Sequence, residues 1–574
     1  MFGEIYNEWL ESGRLSKEEK AELAAIGEDE KEIEYRFGKE LEFGTAGMRG
    51  IMGTGVNMMN VHTVRRATQG LADYIKAKGI AAMKKGVAVS YDTRKNSRLF
   101  AESAADVLAT NGIKTYLFDG VRPVPMLSYA VRRLGTSAGV MITASHNPKE
   151  YNGYKVYGED GAQMSPEDTE KVVSCIAEIG SCLSSKVKFG APVKGMLKVV
   201  GKKLDKQYYK AIRKLTLSDD AVKKVGKNIK LVYTPVHGSG YVPVTTILKK
   251  LGIKAALVEE QTAPDPEFST VEVPNPEFKE TLALGIRLAD KIKADVVFGT
   301  DPDCDRLGVA VRGDKGEFVA LSGNQAGVLL LDYILLRLKE KNALPKNGFA
   351  VKSFVTTSMA KAIAEDYGVE LVEVPVGFKF IGEKIKQFDD TGIKQFLFGF
   401  EESCGYLRGT HCRDKDAVVA SMLFAEMVCY YTYKKTGVWQ RLNDLYDRYG
   451  YCLDKNVSYS FGGLNAMAEM NAIVDGFKKA PPEKLDIYNV IAMRDYSVPV
   501  RISEDGEEPL DIAKSNSVYF EMENGSFVCV RPSGTEPKLK IYYSIKLKDF
   551  ASAEKAFEKM SAAMEKLVKT AFTS

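Results

Sequence analysis

Between residues 86 and 400, short apolar runs alternate with longer amphipathic stretches, and this rhythm occurs three times along the chain. Such an alternation is typical of open α/β sheets, in which helices connect parallel strands. The predicted strands lie at 86–91, 139–143, 230–234, 255–258, 295–299, 349–355, 370–374 and 395–400. The predicted helices lie at 97–111, 242–251, 280–293, 325–339, 358–367 and 380–388. The sequence therefore predicts three related α/β units.

The segments on either side of this region follow other patterns. The first forty residues are dense in Glu, Lys, Ala and Leu, which predicts a charged helical extension that docks on the next domain. After about residue 450 the alternation fades into strands at 517–522, 527–530 and 538–545 and a helix at 550–569. A chain of 574 residues exceeds the size of a single hydrophobic core, so several domains are expected. The predicted domains are 1–40, 41–200, 201–320, 321–450 and 451–574.

Net charge, cysteine pattern and hydropathy argue against several classes of protein. The formal net charge is +4, with basic and acidic residues interleaved, which argues against a nucleic-acid face and favours small anionic substrates. The eight cysteines form no CxxC pair and no secretory signal pattern is present, so we expect a cytoplasmic protein with reduced thiols. The most apolar stretch, 418–433, contains Glu426 and is shorter than the ~20 residues of a membrane-spanning helix. No membrane segment is predicted, and the oligomeric state is left open.

Three carboxylates, Asp301, Asp303 and Asp305, follow directly after the predicted strand 295–299. Carboxylates this close repel one another unless a cation lies among them, and an all-oxygen ligand set, often with a phosphate oxygen, suits Mg²⁺. A calcium EF-hand loop would need Gly and Glu where this chain has Arg306 and Arg312. The spacing favours a magnesium site, with three solvated turn aspartates as the alternative. Arg306 would add a planar fork for phosphate oxygens.

Ser145 follows the predicted strand 139–143 and lies between Ala144 and His146. A serine hydroxyl needs a base, a lowered pKa or a metal in order to react, and a nearby tri-aspartate site would polarise a phosphoryl group attached to it. The flanking residues lack the glycines of a nucleophile elbow, which argues against an acyl-transfer hydrolase. From the residues alone, a serine that caps a helix is an equal alternative.

The loop from Arg531 to Lys538 joins two predicted strands of the last domain and contains an arginine, two hydroxyls and a glycine turn. Such a loop can hold a phosphate through its guanidinium and backbone N–H groups. Taken alone it is also compatible with an ordinary hairpin turn.

Together these segments resemble the α-D-phosphohexomutase family of phosphoglucomutases and phosphomannomutases, from about residue 40 to the end of the chain. The matching segments are Thr143-Ala-Ser-His-Asn-Pro148, Asp301-Pro-Asp-Cys-Asp-Arg306, Glu401-Glu-Ser403 and Arg531-Pro-Ser-Gly-Thr535. The resemblance implies an α/β protein with a four-domain heart-shaped architecture, in which three related α/β domains precede a smaller α+β domain. The element pattern agrees with that expectation.

The resemblance also implies site residues. Ser145 would carry the phosphoryl group and would hold Mg²⁺ together with Asp301, Asp303 and Asp305. Glu401 and Ser403 would contact sugar hydroxyls. The last-domain loop would grip the phosphate that is not transferred, through Arg531, Ser533, Gly534 and Thr535. Further residues implied at the site are Arg49, Lys155, Arg306, Gly377, Lys379, Arg413 and Lys415.

The implied reaction is the interconversion of glucose 1-phosphate and glucose 6-phosphate through a phosphoserine and glucose 1,6-bisphosphate. The general base would be His146 or Lys415. The glutamate pair and the long extension look most like the branch of bacterial phosphoglucomutases and of mammalian enzymes that also act on phosphopentoses. Two departures from the family pattern, Phe400 and Val376, lie near the sugar loops.

Several competing functions are compatible with these residues. Two are other mutases, a phosphomannomutase and a phosphopentomutase. A metal-dependent sugar phosphatase would need only one phosphate site, and a non-enzymatic sugar-phosphate binding protein would have no need of Ser145 beside three metal-spaced carboxylates.

Overall fold

The structure is a computed structural model that describes residues 2–44, 47–461, 466–533 and 538–573. The chain divides into two compact units. The first contains Met1–Arg312, Gly316–Ala320 and Gly405–Tyr430, and the second contains Gly313–Lys315, Leu321–Cys404 and Tyr431–Ser574. Within the described residues, no helix combines the length and apolarity needed to cross a bilayer.

Three helices form the N-terminal extension: α1 (Phe2–Glu11), α2 (Lys17–Ala25) and α3 (Glu30–Phe37). A capping box at the start of α2 joins Ser16 and Glu19, so that orphan backbone N–H groups are satisfied at this end. Although the segment is highly charged, its helices enclose a small apolar core around the fully buried Trp9. Val56 and Cys182 of the following domain belong to the same cluster, and the extension therefore docks on that domain.

The first sheet has six strands in the order β1-β5-β4-β2-β3-β6. Strands β2, β3, β4 and β6 run parallel, whereas β5 is antiparallel to β4 and to β1. Every residue of β2 and of β4 is buried, as expected for a sheet covered on both faces. The elements are β1 (Gly47–Ile51), α4 (Val61–Ala77), α5 (Ile80–Lys85), β2 (Val87–Tyr91), α6 (Ser97–Thr110), β3 (Thr115–Phe118), α7 (Val124–Leu134), β4 (Ala138–Ile142), β5 (Tyr151–Gly158), α8 (Pro166–Ile179) and β6 (Leu197–Val200).

The second sheet has five strands in the order β11-β10-β9-β7-β8. Strand β7 pairs in parallel with β8 and β9, and β10 is antiparallel to β9. The elements are α9 (Lys202–Arg213), α10 (Asp219–Val225), β7 (Leu231–Thr234), α11 (Tyr241–Leu251), β8 (Ala255–Leu257), α12 (Ala283–Ile292), β9 (Val296–Thr300), β10 (Leu307–Arg312) and β11 (Phe318–Leu321). Two short 3₁₀ turns lie at Glu259–Gln261 and Glu280–Leu282.

The second compact unit contains strands of a third sheet, in which β12 lies between β13 and β14 and runs parallel to both. The elements of this stretch are α13 (Gly323–Glu340), β12 (Gly348–Ser353), α14 (Met359–Asp366), β13 (Glu370–Val374), α15 (Phe378–Thr391), β14 (Gln395–Glu401), β15 (Gly405–Leu407), α16 (Ala417–Tyr433) and α17 (Val438–Tyr449). The segment Gly405–Tyr430, which holds β15 and most of α16, packs with the first unit.

The last region is a largely antiparallel sheet in the order β16-β23-β22-β21-β18-β19-β20, with β17 paired to β18. Its elements are β16 (Tyr451–Ser460), α18 (Ala466–Lys479), β17 (Lys484–Leu485), β18 (Tyr488–Asp495), β19 (Val500–Ser503), β20 (Gly506–Pro509), β21 (Val518–Met522), β22 (Phe527–Pro532), β23 (Lys538–Leu547) and α19 (Phe550–Thr573). The core between sheet and helices includes Met470, Phe520, Ile541 and Met560.

The structure confirms the predicted fold class of three α/β regions and a smaller C-terminal α+β region. Every predicted strand and helix is present, with ends that differ by four residues or fewer. Sequence analysis missed a larger set of elements. In the α/β regions these are β1, α4, α5, β3, α7, β5, α8, β6, α9, α10, β10, β11, β15, α16 and α17, and in the last region they are β16, α18 and the strands β17–β20. The domain limits proposed from the sequence stay predictions.

Candidate active site

Ser145 lies just beyond the carboxyl end of β4, where open α/β sheets bind ligands. Its φ is +52°, a left-handed conformation that costs a non-glycine residue about 1–3 kcal/mol and must be held by its surroundings. The Ser145 N–H donates to Thr143 Oγ1 at 2.8 Å, and the Thr143 hydroxyl donates to Asp92 Oδ2 at 2.7 Å. The serine backbone is thus fixed through a buried carboxylate.

Arg94 holds the same loop from the other side. Its side chain is fully buried, and its guanidinium donates to the carbonyl oxygens of Ser145 at 2.7 Å, Pro148 at 2.8 Å and Tyr151 at 3.1 Å. It also donates to the carbonyl oxygen of Asn147. One side chain therefore satisfies four backbone acceptors around Ser145.

Sequence analysis missed both Asp92 and Arg94. A signal was available, because Asp92-Thr-Arg94 directly follows β2, the parallel neighbour of β4. The carboxyl ends of neighbouring parallel strands meet at one edge of the sheet, so polar residues after β2 had to lie beside the Ser145 loop.

Arg94→Met is expected to lower the unfolding free energy by about 3–5 kcal/mol, because it leaves the fully buried Asp92 without its cation and four carbonyl groups without a donor. Chemical denaturation followed by circular dichroism measures this change. The matched control is Arg98→Met on α6, whose side chain is 76% exposed. Equal, small effects of the two substitutions would contradict the clamp role.

The carboxylates of Asp301, Asp303 and Asp305 lie in the loop after β9, are at most 1% exposed, and offer oxygen atoms within 4.8 Å of one another. Asp301 Oδ1 accepts the N–H groups of Asp305 at 3.1 Å and Arg306 at 3.0 Å, which closes the loop. Among the described residues, the Oδ1 atoms of Asp303 and Asp305 are buried and have no hydrogen-bond partner. Buried oxygens of this kind need a partner, and a hard divalent cation could supply one.

Neighbouring charges and burial shift the pKa values of these three carboxyls in different directions. Burial, together with repulsion from Asp303 and Asp305, raises the pKa of Asp301 well above its usual range. Burial and Asp303 also raise the pKa of Asp305. Burial opposes ionisation of Asp303 too, but the ammonium of Lys155, whose Nζ lies 3.0 Å from Asp303 Oδ2, lowers the pKa of that carboxyl. The loop is therefore poised between neutral and ionised carboxyls, and a cation would favour the ionised forms.

The loop that contains Asp301, Asp303 and Asp305 is also held by the segment that follows β7. Ser239 donates to the carbonyl oxygen of Pro302 through both its N–H and its hydroxyl, each at 2.8 Å. Val236 and His237 adopt φ values of +46° and +60°, which are unusual for such side chains. Sequence analysis missed this segment, although it follows the strand next to β9.

The Ser145 loop and the aspartate loop meet directly. The Ser145 hydroxyl donates to Asp301 Oδ2 at 3.0 Å, and its Oγ lies 3.3 Å from His146 Nδ1. Burial and the charges of Arg306 and Arg49 lower the pKa of His146 well below its usual range, so the ring is neutral near pH 7. The residues predicted as nucleophile, histidine and metal ligands are therefore brought together.

Other predicted residues of the first unit surround this pair of loops. Lys415 Nζ lies 3.2 Å from Asp305 Oδ2 and 3.4 Å from Asp414 Oδ1. Asp414, which sequence analysis missed, also accepts from Tyr157 Oη at 2.9 Å. Arg49 donates to Asn147 Oδ1 at 2.6 Å, and Arg306 forms an ion pair with Glu277. Arg413 is 3% exposed, and its N–H donates to Ser128 Oγ at 2.9 Å.

In the second unit, the predicted sugar loop and the Gly-Phe-Lys loop are joined. The Gly377 N–H donates to Glu401 Oε1 at 2.7 Å, with Gly377 at φ +125°, a conformation that favours glycine. Lys379 lies in the first turn of α15, and burial lowers its pKa. Ser403 is half-buried in the turn after β14. Glu402, which sequence analysis did not select, accepts from Ser353 Oγ at 3.0 Å.

The two departures from the family pattern have packing explanations. Phe400 is fully buried and stacks on Phe398, and its ring fills the space where a Cβ on Gly327 would lie. Val376 packs at the edge of the cluster that contains Phe354 and Tyr496. Both side chains belong to the hydrophobic packing of the second unit.

The phosphate-type loop of the last domain is described in part. Arg531 lies in β22 opposite Lys540, and the Ser533 N–H donates to the carbonyl oxygen of Lys538 at 2.7 Å. Gly534 and Thr535 lie outside the described residues. Burial and the charge of Glu402 raise the pKa of Tyr542, whereas Arg531 acts in the opposite direction. Glu402 and Arg531 therefore influence the same phenol.

The fold and these loops define a multidomain α/β protein of the phosphoryl-transfer type, and comparison with known proteins identifies its family. Models of the phosphoglucomutase/phosphomannomutase α/β/α domains I, II and III match residues 40–181, 206–315 and 322–449. A phosphoglucomutase of Staphylococcus aureus strain MRSA252 is 37% identical over 530 residues, 91% of this chain and 93% of that protein. The chain belongs to the phosphoglucomutase/phosphomannomutase family, and the resemblance inferred from the sequence is confirmed.

Solved structures share the fold at lower identity. A phosphoglucomutase/phosphomannomutase family protein from Burkholderia thailandensis has a TM-score of 0.65 at 18% identity and covers 92% of this chain and 97% of its own. The phosphoglucomutase parafusin from Paramecium, in an open form, has a TM-score of 0.66 at 19% identity and covers 92% of this chain and 94% of its own.

Proposed function

We propose that this chain is a phosphoglucomutase, which interconverts glucose 1-phosphate and glucose 6-phosphate through a phosphoserine at Ser145 and glucose 1,6-bisphosphate. The observation that carries the proposal is the 3.0 Å hydrogen bond between the Ser145 hydroxyl and Asp301, a member of the buried carboxylate triad. Family membership and 37% identity to a phosphoglucomutase support the choice of reaction. The free thiols and small net charge are compatible with work in the cytoplasm on small hexose phosphates.

The aspartate loop fits Mg²⁺. Three buried carboxylates supply a hard oxygen set, and two of their oxygens have no hydrogen-bond partner among the described residues. Asp301, Asp303 and Asp305 would hold the ion together with the phosphoryl group on Ser145. When bound, Mg²⁺ would neutralise and polarise that phosphoryl group.

The two phosphoryl transfers would depend on side chains of the protein. The sugar hydroxyl attacks the phosphorus on Ser145, and its proton passes to a general base. The bond from phosphorus to Ser145 Oγ breaks, and this oxygen takes up a proton to restore the serine hydroxyl. The resulting bisphosphate reorients and returns its other phosphoryl group to Ser145 Oγ. Arg306 and Lys379 neutralise developing charge on the phosphoryl oxygens.

The two candidate bases, His146 and Lys415, have different neighbours. His146 Nδ1 lies 3.3 Å from Ser145 Oγ. Because the attacking and leaving oxygens lie on opposite sides of the phosphorus in an in-line transfer, His146 is placed to exchange a proton with Ser145 Oγ. Lys415 Nζ lies 3.2 Å from Asp305 Oδ2 and 3.4 Å from Asp414 Oδ1, where it would compensate the charges of these carboxylates. Both residues stay candidates for the base that takes the proton of the sugar hydroxyl.

The remaining proposed residues bind the sugar and its second phosphate. Glu401 and Ser403 would accept and donate hydrogen bonds to sugar hydroxyls, with Gly377 fixing the Glu401 carboxylate. The phosphate that is not transferred would be held by Arg531, Ser533, Gly534 and Thr535. Arg49, Lys155 and Arg413 would contribute further positive charge for the anionic substrate.

The experiment is coupled turnover of glucose 1-phosphate, mannose 1-phosphate and ribose 1-phosphate, each with and without the corresponding bisphosphate, alongside intact mass of the purified protein. We expect preference for glucose 1-phosphate, stimulation by the bisphosphate and one phosphate on Ser145. Phosphate release without isomerisation would replace the mutase by a phosphatase. Preference for another sugar would replace the substrate.

Arg531→Ala is expected to raise KM in both reaction directions by roughly 10- to 100-fold, with a smaller fall in kcat, because the lost contact is to a non-reacting phosphate. The loop meets the C6 phosphate in one half-reaction and the C1 phosphate in the other, so KM should rise in both directions. Steady-state kinetics in both directions measure the effect. The control is Lys559→Ala on α19 of the same domain, whose side chain is 50% exposed. An unchanged KM in both directions would remove the proposed role of Arg531.

A further inference from the structure

An open cavity of about 550 Å³ lies between the N-terminal helices and the first α/β region. Its wall is formed by the connection between α1 and α2, by α2 itself and by the first turns of α4 and α6. The wall contains none of the candidate catalytic residues. The volume lies within the range of about 300–1,000 Å³ that is usual for small-molecule sites.

Two guanidinium groups, Arg14 and Arg65, line this cavity and share one aromatic ring. The Cζ atoms of Arg65 and Arg14 lie 4.0 Å and 5.7 Å from the centroid of Phe189. Arg14 donates to the carbonyl oxygen of Ser184 at 2.9 Å, and the Arg65 Nε is buried with no hydrogen-bond partner among the described residues. In the part of the chain that the structure describes, neither group forms an ion pair with a carboxylate.

Proximity of two like charges is unfavourable unless an anion compensates them. Burial is the main cause that lowers the pKa of Arg65; the charges of Asp106 and Glu19 act in the opposite direction, and the smaller effect of Arg14 lowers the pKa further. The guanidinium fork matches the geometry of phosphate oxygens, so an anion with more than one oxygen acceptor is favoured.

The carboxylates in the wall are already engaged by other partners. Glu19 lies 3.0 Å from His62 Nε2 and accepts from the Ser16 N–H at 2.8 Å. Glu22 accepts from Arg36, from the Thr54 N–H and from the Thr54 hydroxyl. Neither carboxylate is the missing partner of Arg14 or Arg65.

The rest of the wall is partly apolar. Leu15 and Leu99 line the cavity, and Leu99, which is 50% exposed, presents apolar surface to it. Met59 and Val61 add further apolar surface. A simple inorganic anion would leave this surface in contact with water.

We propose that this cavity binds a small organic phosphate, whose phosphate is held by Arg14 and Arg65 and whose apolar body packs against Leu15 and Leu99. The site is separate from the one at Ser145 and does not depend on the proposed reaction.

The chain carries its own reporter for this site. It contains two tryptophans, Trp9 and Trp439, and the Trp9 ring lies 5.4 Å from the ring of His62 in the cavity wall. In the full-length Trp439→Phe protein, Trp9 emission is followed during titration with phenyl phosphate, and with phenol as the uncharged control. We expect a saturable change with phenyl phosphate and none with phenol.

Arg14→Gln and Arg65→Gln, each in the Trp439→Phe background, are expected to weaken the apparent affinity by about tenfold or more, because each removes a charged hydrogen-bond donor. Arg98→Gln on α6 removes an exposed arginine nearby and should leave the curve unchanged. Arg531→Ala should also leave it unchanged, since that residue belongs to the other phosphate loop. Arg14 is exposed, so its substitution tests the site even if Arg65→Gln disturbs folding.

Three outcomes would overturn the proposal. The first is the absence of a saturable change in Trp9 emission. The second is an unchanged curve in the Arg14→Gln protein. The third is loss of the response in Arg531→Ala, which would show that phenyl phosphate binds at the last-domain loop.

Discussion

Ser145→Ala is expected to reduce mutase turnover by at least about 10⁴-fold while the protein stays folded, because the phosphoryl group has no other acceptor. The side chain makes one hydrogen bond to a carboxylate, at Asp301, whereas the loop is fixed by the backbone contacts of residue 145 with Thr143 and Arg94. Those contacts do not need the hydroxyl, so the loop should keep its conformation.

Coupled turnover, circular dichroism and intact mass of the Ser145→Ala protein test this result together. The matched control is Ser137→Ala at the opposite end of β4, where the hydroxyl donates to the carbonyl oxygen of Ala82. We expect the control to keep both turnover and the phosphate on Ser145. Near-normal turnover in Ser145→Ala would mean that the phosphoryl group passes through another residue or directly between substrates.

The α/β elements that were predicted have local signals. Strands such as β2 and β9 are buried throughout and read as continuous apolar runs, and the helices between them are amphipathic. The strands of the last domain were harder, because β16 and β20 carry mainly exposed or half-buried polar residues. Their pairing depends on distant strands, such as β16 on β23, so no local pattern announces them.

Some features of the candidate site could likewise be predicted from sequence spacing, and others could not. The alternation of Asp301, Asp303 and Asp305 in one loop predicted a carboxylate cluster directly from sequence spacing. The contact between Ser145 and Asp301 joins residues 156 positions apart, and only the family resemblance indicated it. Arg94 supports that contact through backbone carbonyls and Asp92 through the Thr143 hydroxyl, and their sequence signal is their position directly after β2.

The N-terminal extension was predicted from its composition as charged helices that dock on the next domain. Its charge density did not indicate which residues make the contact, and Trp9, Leu23 and Phe37 are almost fully buried there. Few apolar residues suffice because three short helices share one cluster with Val56 and Cys182 of the next domain. The cavity with Arg14 and Arg65 arises from this docking and could not be read from either segment alone.

Asp303→Asn is expected to weaken Mg²⁺ binding by roughly 100-fold or more, since it removes one of three carboxylate charges and one of the two buried oxygens without a partner. In metal-free protein two effects oppose each other. The substitution relieves repulsion with Asp301 and Asp305, and it removes the attraction between Asp303 and Lys155. The metal-free melting temperature should therefore change little.

The response to Mg²⁺ separates a metal site from a structural cluster. At a concentration 100 times the dissociation constant, binding stabilises the native state by about 2.7 kcal/mol; a 100-fold weaker site leaves about 0.4 kcal/mol at the same concentration. Thermal melts with and without Mg²⁺, and calorimetric titration, measure this difference independently of turnover. Asp290→Asn, which changes a carboxylate 56% exposed on the same α/β unit, controls for lost charge at the surface. If Asp303→Asn kept the full Mg²⁺-induced rise, the ion would bind elsewhere, and Lys155 and Lys415 would be the true counterions of the carboxylate loop.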